Sequence, residues 1–141
     1  MDRKGKKPSI CNCLNLRRAS LAITKIYDEK LQPSGLSVSQ YAIIKHLYHL
    51  GTVSVSDLSA SIRLDRTTLV RSLKPLESNG LITDISENGT RNRQLQLTER
   101  GLSKYQEAAE LWDEAQQYIE QNLGKENIEK LTALLCLIEN L

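Results

Sequence analysis

Mainly α with a small β-wing is the fold class this sequence predicts, and three observations predict it. Residues 10–31 and 98–141 carry apolar positions at helical spacing over many turns. Between them, Ser54–Gly101 changes its hydrophobic period twice in under fifty residues: two short helical stripes, then strict alternation. Opposite the second stripe lies a run of basic and hydroxyl side chains. Together these describe a winged helix-turn-helix flanked by N- and C-terminal dimerisation helices.

The elements follow in chain order. Residues 1–9 (MDRKGKKPS) lack apolar periodicity and read as a flexible basic tail. From Ile10 to Leu31, Leu14, Ala19, Ala22, Ile23, Ile26, Tyr27 and Leu31 form a helical stripe that Gln32-Pro33-Ser34-Gly35 ends. Ser37 with Gln40 three residues on fits a capping box and opens a helix to Leu50, with Tyr41, Ile44 and Leu47 facing inward and Gly51 closing it. His46 and His49 stand three apart on this helix, but no Cys, Asp or Glu at matching spacing completes a zinc set, so no metal is expected. Val53 and Val55 form an extended link able to pair with the hairpin's edge.

Ser54–Leu64 then reads as a short helix with Leu58 and Ile62 inward and Asp57 in its first turn. Asp65 is an N-cap for the second helix, whose stripe is Leu69, Leu73 and Leu76. On its free face fall Arg66, Thr67, Thr68, Arg71 and Lys74, the side-chain types that hydrogen-bond phosphates and base edges in a major groove. Pro75 removes a hydrogen bond to the Arg71 carbonyl and predicts a kink rather than a stop, because Leu76 and the cap Asn79-Gly80 continue the pattern. Leu81, Ile82 and Ile85, a turn at Asn88-Gly89, and Leu95 and Leu97 alternating with Gln94 and Gln96 make the hairpin. Thr98-Glu99-Arg100 starts a long helix with Leu102, Tyr105, Ala109, Trp112, Ile119 and Leu123 as its stripe, and Gly124 interrupts it. From Lys125 on, Ile128, Leu131, Leu134, Leu135 and Ile138 form one stripe, with Ala133, Cys136, Leu137 and Leu141 on other faces. So apolar a helix needs cover. A second subunit is the natural one, the alternative being the same chain's first helix.

The domain layout is thus a tail at 1–9, a DNA-binding unit at 36–97, and a dimerisation region from 10–33 and 98–141. The net charge of +2 is small, but it is unevenly spread. Residues 1–18 carry six Lys/Arg against one acid, residues 62–101 seven against five, and residues 102–141 three against eight. The chain is basic where a winged helix would meet phosphates and acidic at the far end, which would orient it on DNA. No apolar run long enough for a membrane span and no secretory signal pattern is present, so a cytoplasmic protein is expected. The three cysteines, Cys11, Cys13 and Cys136, are an odd number and argue against a disulfide framework. No Ser/His/Asp set, phosphate loop or paired carboxylates point to an enzyme. The runner-up to a DNA-binding regulator is a winged helix used only for protein contact.

Gly80-Leu81-Ile82, the wing with Arg91, and Leu97-Thr98-Glu99-Arg100-Gly101 closing the second strand resemble the MarR family of bacterial and archaeal transcription regulators. The resemblance extends over nearly the whole chain. It implies a homodimer on double-stranded DNA, with α-helical residues Arg66–Arg71 in a major groove and Arg91 and Arg93 in the adjacent minor groove, on a near-palindromic operator whose half-sites lie about 10 bp apart or a little more. Repression is the expected mode. The family's wing usually carries Asp-x-Arg, whereas Gly89 stands two before Arg91, so Arg93 is expected to share the work of Arg91. The family also implies a cleft between the DNA-binding and dimer lobes for a small aromatic or phenolic effector, and Tyr27, Tyr41, His46 and Tyr48 are the candidates to line it; each is equally explained as core or surface.

Cys13 near the start of the first helix, with Arg17 one turn on and Arg18 beside it, fits a thiol biased toward thiolate. Its position resembles that of the sensing cysteine in the organic-hydroperoxide branch of the family, with Tyr27 matching one of two tyrosines and Arg17 replacing the other. Cys11 is the weaker disulfide partner while both residues are helical, and Cys136 of a second subunit is the other candidate. The competing reading is three small half-buried residues without chemistry.

Overall fold

The computed structural model describes residues 5–87 and 93–141. Six helices and a three-stranded sheet follow in the order α1 (Asn12–Leu31), α2 (Val38–Leu50), β1 (Val53–Ser54), α3 (Val55–Ile62), α4 (Arg66–Ser78), β2 (Ile82–Asp84), β3 (Gln94–Leu97), α5 (Glu99–Leu123) and α6 (Lys125–Glu139), with a short 3-10 turn at Gln32–Ser34. The sheet is antiparallel in the order β1-β3-β2, with Val53 opposite Leu95 and Ile82 opposite Leu97. This is the mainly α fold with a β-wing that the periodicity predicts.

Local chemistry explains where each element begins. The Ser37 hydroxyl accepts from the Gln40 amide while Gln40 Oε1 accepts from the Ser37 amide, a complete capping box. Ser54 caps α3 through the Asp57 amide, Asp65 caps α4 through the Thr68 amide, and Thr98 caps α5 through the Gly101 amide. Between α3 and α4 the chain reverses at Arg63, which adopts φ 58° and is the only non-glycine residue with positive φ among those described. Helix α4 runs three residues past Pro75, so the proline does not end it. It closes in a Schellman arrangement: the Leu81 amide donates to the Leu76 carbonyl and the Gly80 amide to the Glu77 carbonyl, with Gly80 at φ +71°.

The core is built on Leu31, Ile43, Ile44, Leu47, Leu58, Leu69, Leu73, Leu76 and Leu95, all fully buried. The three leucines of α4 are thus all in it, each contributing about 1.5–3 kcal/mol by burial. Ile43, which lies off the predicted α2 stripe, is buried too, because α2 is covered by α1, α3, α5 and the sheet together.

Several expectations need correction. Helix α1 starts at Asn12, leaving Ile10 fully exposed; Cys11 is its N-cap, its sulfur accepting from the Leu14 amide at 3.4 Å. The Ser9 backbone and the Asn15 side-chain amide bond each other across this start, at 2.8 Å twice, and fasten the preceding chain to the first turn of the helix. Val55 belongs to α3 rather than to the extended link, since the Ser54 cap begins a helix at once. Ile85 lies just beyond β2 and is exposed. In α5 the buried line is Gly101, Ala108, Ala115 and Ile119, while Leu102 and Leu123 are exposed; small residues let α1 and the sheet come close. The turn expected at Asn88-Gly89 lies outside the described residues.

Two contacts tie the halves of the molecule together. Thr98 donates from its amide to the Leu81 carbonyl and from its hydroxyl to the Gly80 carbonyl, so the start of α5 is stitched to the end of α4. Arg63 in the helix-turn-helix reversal pairs with Glu139 at the end of α6 at 3.4 Å. Helix α6 itself buries none of its residues against its own chain, and Leu131, Leu134, Leu135, Leu137 and Ile138 are exposed along it.

Candidate nucleic-acid interface

The free face of α4 is where the fold concentrates donors. Arg66, Thr67, Thr68, Arg71 and Lys74 are all exposed, directly opposite the buried Leu69, Leu73 and Leu76. The Asp65 cap does more than begin the helix. It takes both the Thr68 amide and the Thr68 hydroxyl, which holds that side chain back at the helix start and keeps the Asp65 carboxyl below its usual range. Arg66 reaches across to the Ser56 hydroxyl of α3 at 3.4 Å, so the two helices of the motif share one polar surface. Arg71 and Lys74 are one turn apart on that surface, as a groove-reading helix requires.

The wing residues divide. Arg91 lies outside the described residues. Arg93 is held between two acids: its Nε donates to Asp84 Oδ2 at 3.0 Å, and its Nη2 to Glu77 at the end of α4. Asp84 Oδ1 in turn accepts from the Ser86 hydroxyl at 2.6 Å, the Ser86 amide at 2.9 Å and the Gln94 amide at 3.2 Å. These donors, Ser86 foremost, hold the Asp84 carboxyl well below the usual carboxylate range, and Glu77 foremost keeps the guanidinium charged. Sequence reasoning did not pair Arg93 with these acids, which lie 16 and 9 residues away along the chain.

The four effector candidates do not converge on one cavity. Tyr41 is in the core, stacked on Tyr105 and Trp112 with ring centroids 5.9 Å apart in each case. Burial, followed by the neighbouring Tyr105 and Asp113, pushes its phenol up to about 12. Tyr48, half exposed, stacks on the other side of this group against Tyr105 at 4.4 Å and borders a cavity of about 380 Å³ with Leu97, Glu99 and Leu102. His46 faces a different cavity of about 250 Å³ shared with Lys45, His49 and Ser61, and its Nδ1 bonds the Ala42 carbonyl at 2.7 Å. Tyr27 hydrogen-bonds Gln116 of α5. Sequence reasoning missed Tyr105 and Trp112 as the ring partners, and Lys45, whose Nζ sits 4.1 Å above Trp112.

All three cysteines are free and exposed. Cys13 is in the first turn of α1, and Cys136 near the end of α6 accepts weakly from Asn140 at 3.6 Å. Fourteen residues of helix, at a rise of about 1.5 Å each, separate Cys13 from Tyr27 by roughly 21 Å, so Tyr27 cannot touch Cys13 within one chain.

A two-helix reading motif with an exposed basic face, a sheet beside it and an outer pair of long helices defines a DNA-binding winged helix-turn-helix regulator. Residues 36–86 match the MarR family. HTH-type transcriptional regulator FarR of Neisseria gonorrhoeae is 31% identical over 124 residues, 87% of this chain and 85% of that one. The organic hydroperoxide resistance transcriptional regulator of Bacillus subtilis is 31% identical over 100 residues, 70% of this chain and 68% of that one. The solved structure of the M. tuberculosis transcriptional regulator MosR in complex with DNA is 28% identical and superposes with a TM-score of 0.78 over 92% of this chain and 96% of that one. The chain belongs to the MarR family. It is a DNA-binding transcriptional regulator and not an enzyme. Regulators of this family are typically dimers, and modulation of their DNA binding by a ligand is typical. No helix among the described residues is long and apolar enough to cross a membrane.

Proposed function

We propose that this chain works as a cytoplasmic homodimer that reads a near-palindromic operator, each protomer laying α4 in a major groove, and that it represses where that operator overlaps a promoter. The observation that carries the reading is the two-sidedness of α4: three leucines at zero exposure on one side and Arg66, Thr67, Thr68, Arg71 and Lys74 exposed on the other. Arg91 is the proposed minor-groove contact of the wing. The exposed leucines of α6, together with α1, are the proposed dimer surface.

Arg71→Ala tests the base-reading role. It is expected to weaken binding to the cognate duplex much more than to a scrambled one, since a bidentate base contact is worth about 1–3 kcal/mol of discrimination. Equal losses on the two duplexes, measured by fluorescence anisotropy, would remove Arg71 from base reading.

The similarity to the organic hydroperoxide resistance regulator, with Cys13 exposed in the first turn of α1, supports a second reading for the signal. The Cys13 thiolate attacks the distal peroxide oxygen of an organic hydroperoxide, giving the sulfenic acid and releasing the alcohol. Tyr27 would then have to come from the second subunit to flank the thiol. Stoichiometric hydroperoxide should add one oxygen at Cys13 and lower operator affinity; oxidation without loss of affinity rules the switch out. The ligand reading uses Tyr48 and the cavity beside it, with an aromatic or phenolic effector stacking on the Tyr48–Tyr105 pair.

A further inference from the structure

We infer that Arg93 is a positioning residue that sets the angle of the wing against the reading helix, and that Glu77 and Asp84 are its partners in that task. The inference rests on α4 being the reading helix. The arrangement is a three-point brace. Glu77 belongs to the last turn of α4, Asp84 ends β2, and Arg93 stands immediately before β3. One guanidinium therefore holds three elements at once, through two different nitrogens. All three side chains are about two-thirds covered, at 32%, 31% and 27% exposure, so the pairs are screened less than surface ion pairs. Asp84 is itself fixed by Ser86 and by the Gln94 amide across the sheet, so the acid cannot follow the arginine if it swings away.

The charges make a phosphate role costly. To reach DNA, Arg93 would have to leave two carboxylates at hydrogen-bonding distance, and those acids would then face the phosphates unpaired. Braced, the three groups carry a net charge of about minus one and hold a fixed geometry at the foot of the wing.

The two roles predict opposite signs for the acids. Neutralising an acid beside DNA strengthens binding if only charge matters, because repulsion of phosphate is removed. If the acids brace the wing, neutralising them weakens it. The experiment uses the full chain and the tightest duplex recovered from a random-sequence pool, with a scrambled duplex beside it, over a range of salt. Glu77→Gln and Asp84→Asn are expected to weaken binding to the selected duplex several-fold, and Arg93→Gln about tenfold, as befits lost hydrogen bonds between charged groups. The dependence of log K on log salt should be unchanged in Arg93→Gln, binding to scrambled DNA should be retained, and Arg93→Lys, which can keep one pair, should fall between. Tighter or unchanged binding by Glu77→Gln and Asp84→Asn, or a salt slope lowered by about 0.9 per protomer in Arg93→Gln, makes Arg93 a phosphate contact and overturns the inference. Glu77→Gln keeps a neutral hydrogen bond at the same place and so decides the sign even if Arg93→Gln does not fold. A failure of Arg71→Ala to change discrimination would count against α4 as the reader and leave these signs readable separately.

Discussion

Gly101 shows how much can rest on one missing methyl. A Cβ there would overlap the Leu81 carbonyl oxygen, which already accepts from the Thr98 amide. Gly101→Ala must therefore push the start of α5 off the end of α4, and a loss of about 3 kcal/mol is expected, the upper end for overpacking. Urea denaturation checks it: the midpoint should fall with the slope unchanged, and a midpoint equal to wild type would mean the close approach is not real. At Asp84 the prediction concerns pH. Its folded-state pKa lies below the unfolded value, so its contribution is complete above the ordinary carboxylate range and declines as pH falls below about 4, where the unfolded chain takes up the proton first. The stability gap between wild type and Asp84→Asn should accordingly narrow between pH 6 and pH 3; a constant gap would show that the carboxylate's charge plays no part.

At the scale of elements, α4 was legible because large apolar residues mark its buried side without ambiguity: Leu69, Leu73 and Leu76 could face only one way. Helix α5 was less so. Its contact line runs through Gly101, Ala108 and Ala115, and small residues leave no hydrophobic signal although they decide how near a neighbour can come. The brace at Arg93 was invisible for another reason. Its two acids, Glu77 and Asp84, lie 16 and 9 residues away along the chain, and only folding brings them against the arginine. Cys11 went astray because sulfur is a rare N-cap, so the helix start was placed two residues too early. Pro75 offers an element-level test. Exposed and inside a continuing helix, it denies the Arg71 carbonyl a donor. Pro75→Ala restores that bond at the cost of a freer unfolded chain, and a net gain of about 2 kcal/mol is expected. An unfolding temperature at or below that of wild type would show that the proline's rigidity matters more than the bond.

At the scale of the whole molecule, the exposed leucines of α6 are the surface that asks for cover. Truncation after Gly124 should leave the long helix uncovered and yield aggregated or unfolded protein, and Leu135→Glu should do the same by placing a charge in an apolar contact. Analytical ultracentrifugation decides it: a soluble, well-folded dimer from either variant would mean that α6 is not part of the dimer surface. Helix α5 has a last consequence, which is one of leverage. Its 25 residues make a single rod about 37 Å long, gripped at the bottom by Thr98 and Gly101 and joined at the top to the helix that a partner would cover. A tilt of only about 5° at the upper end displaces the lower end by roughly 3 Å, close to the rise of one base pair at 3.4 Å. A small tilt at the top is thus enough to move the lower end of α5 by about one base-pair step along a duplex.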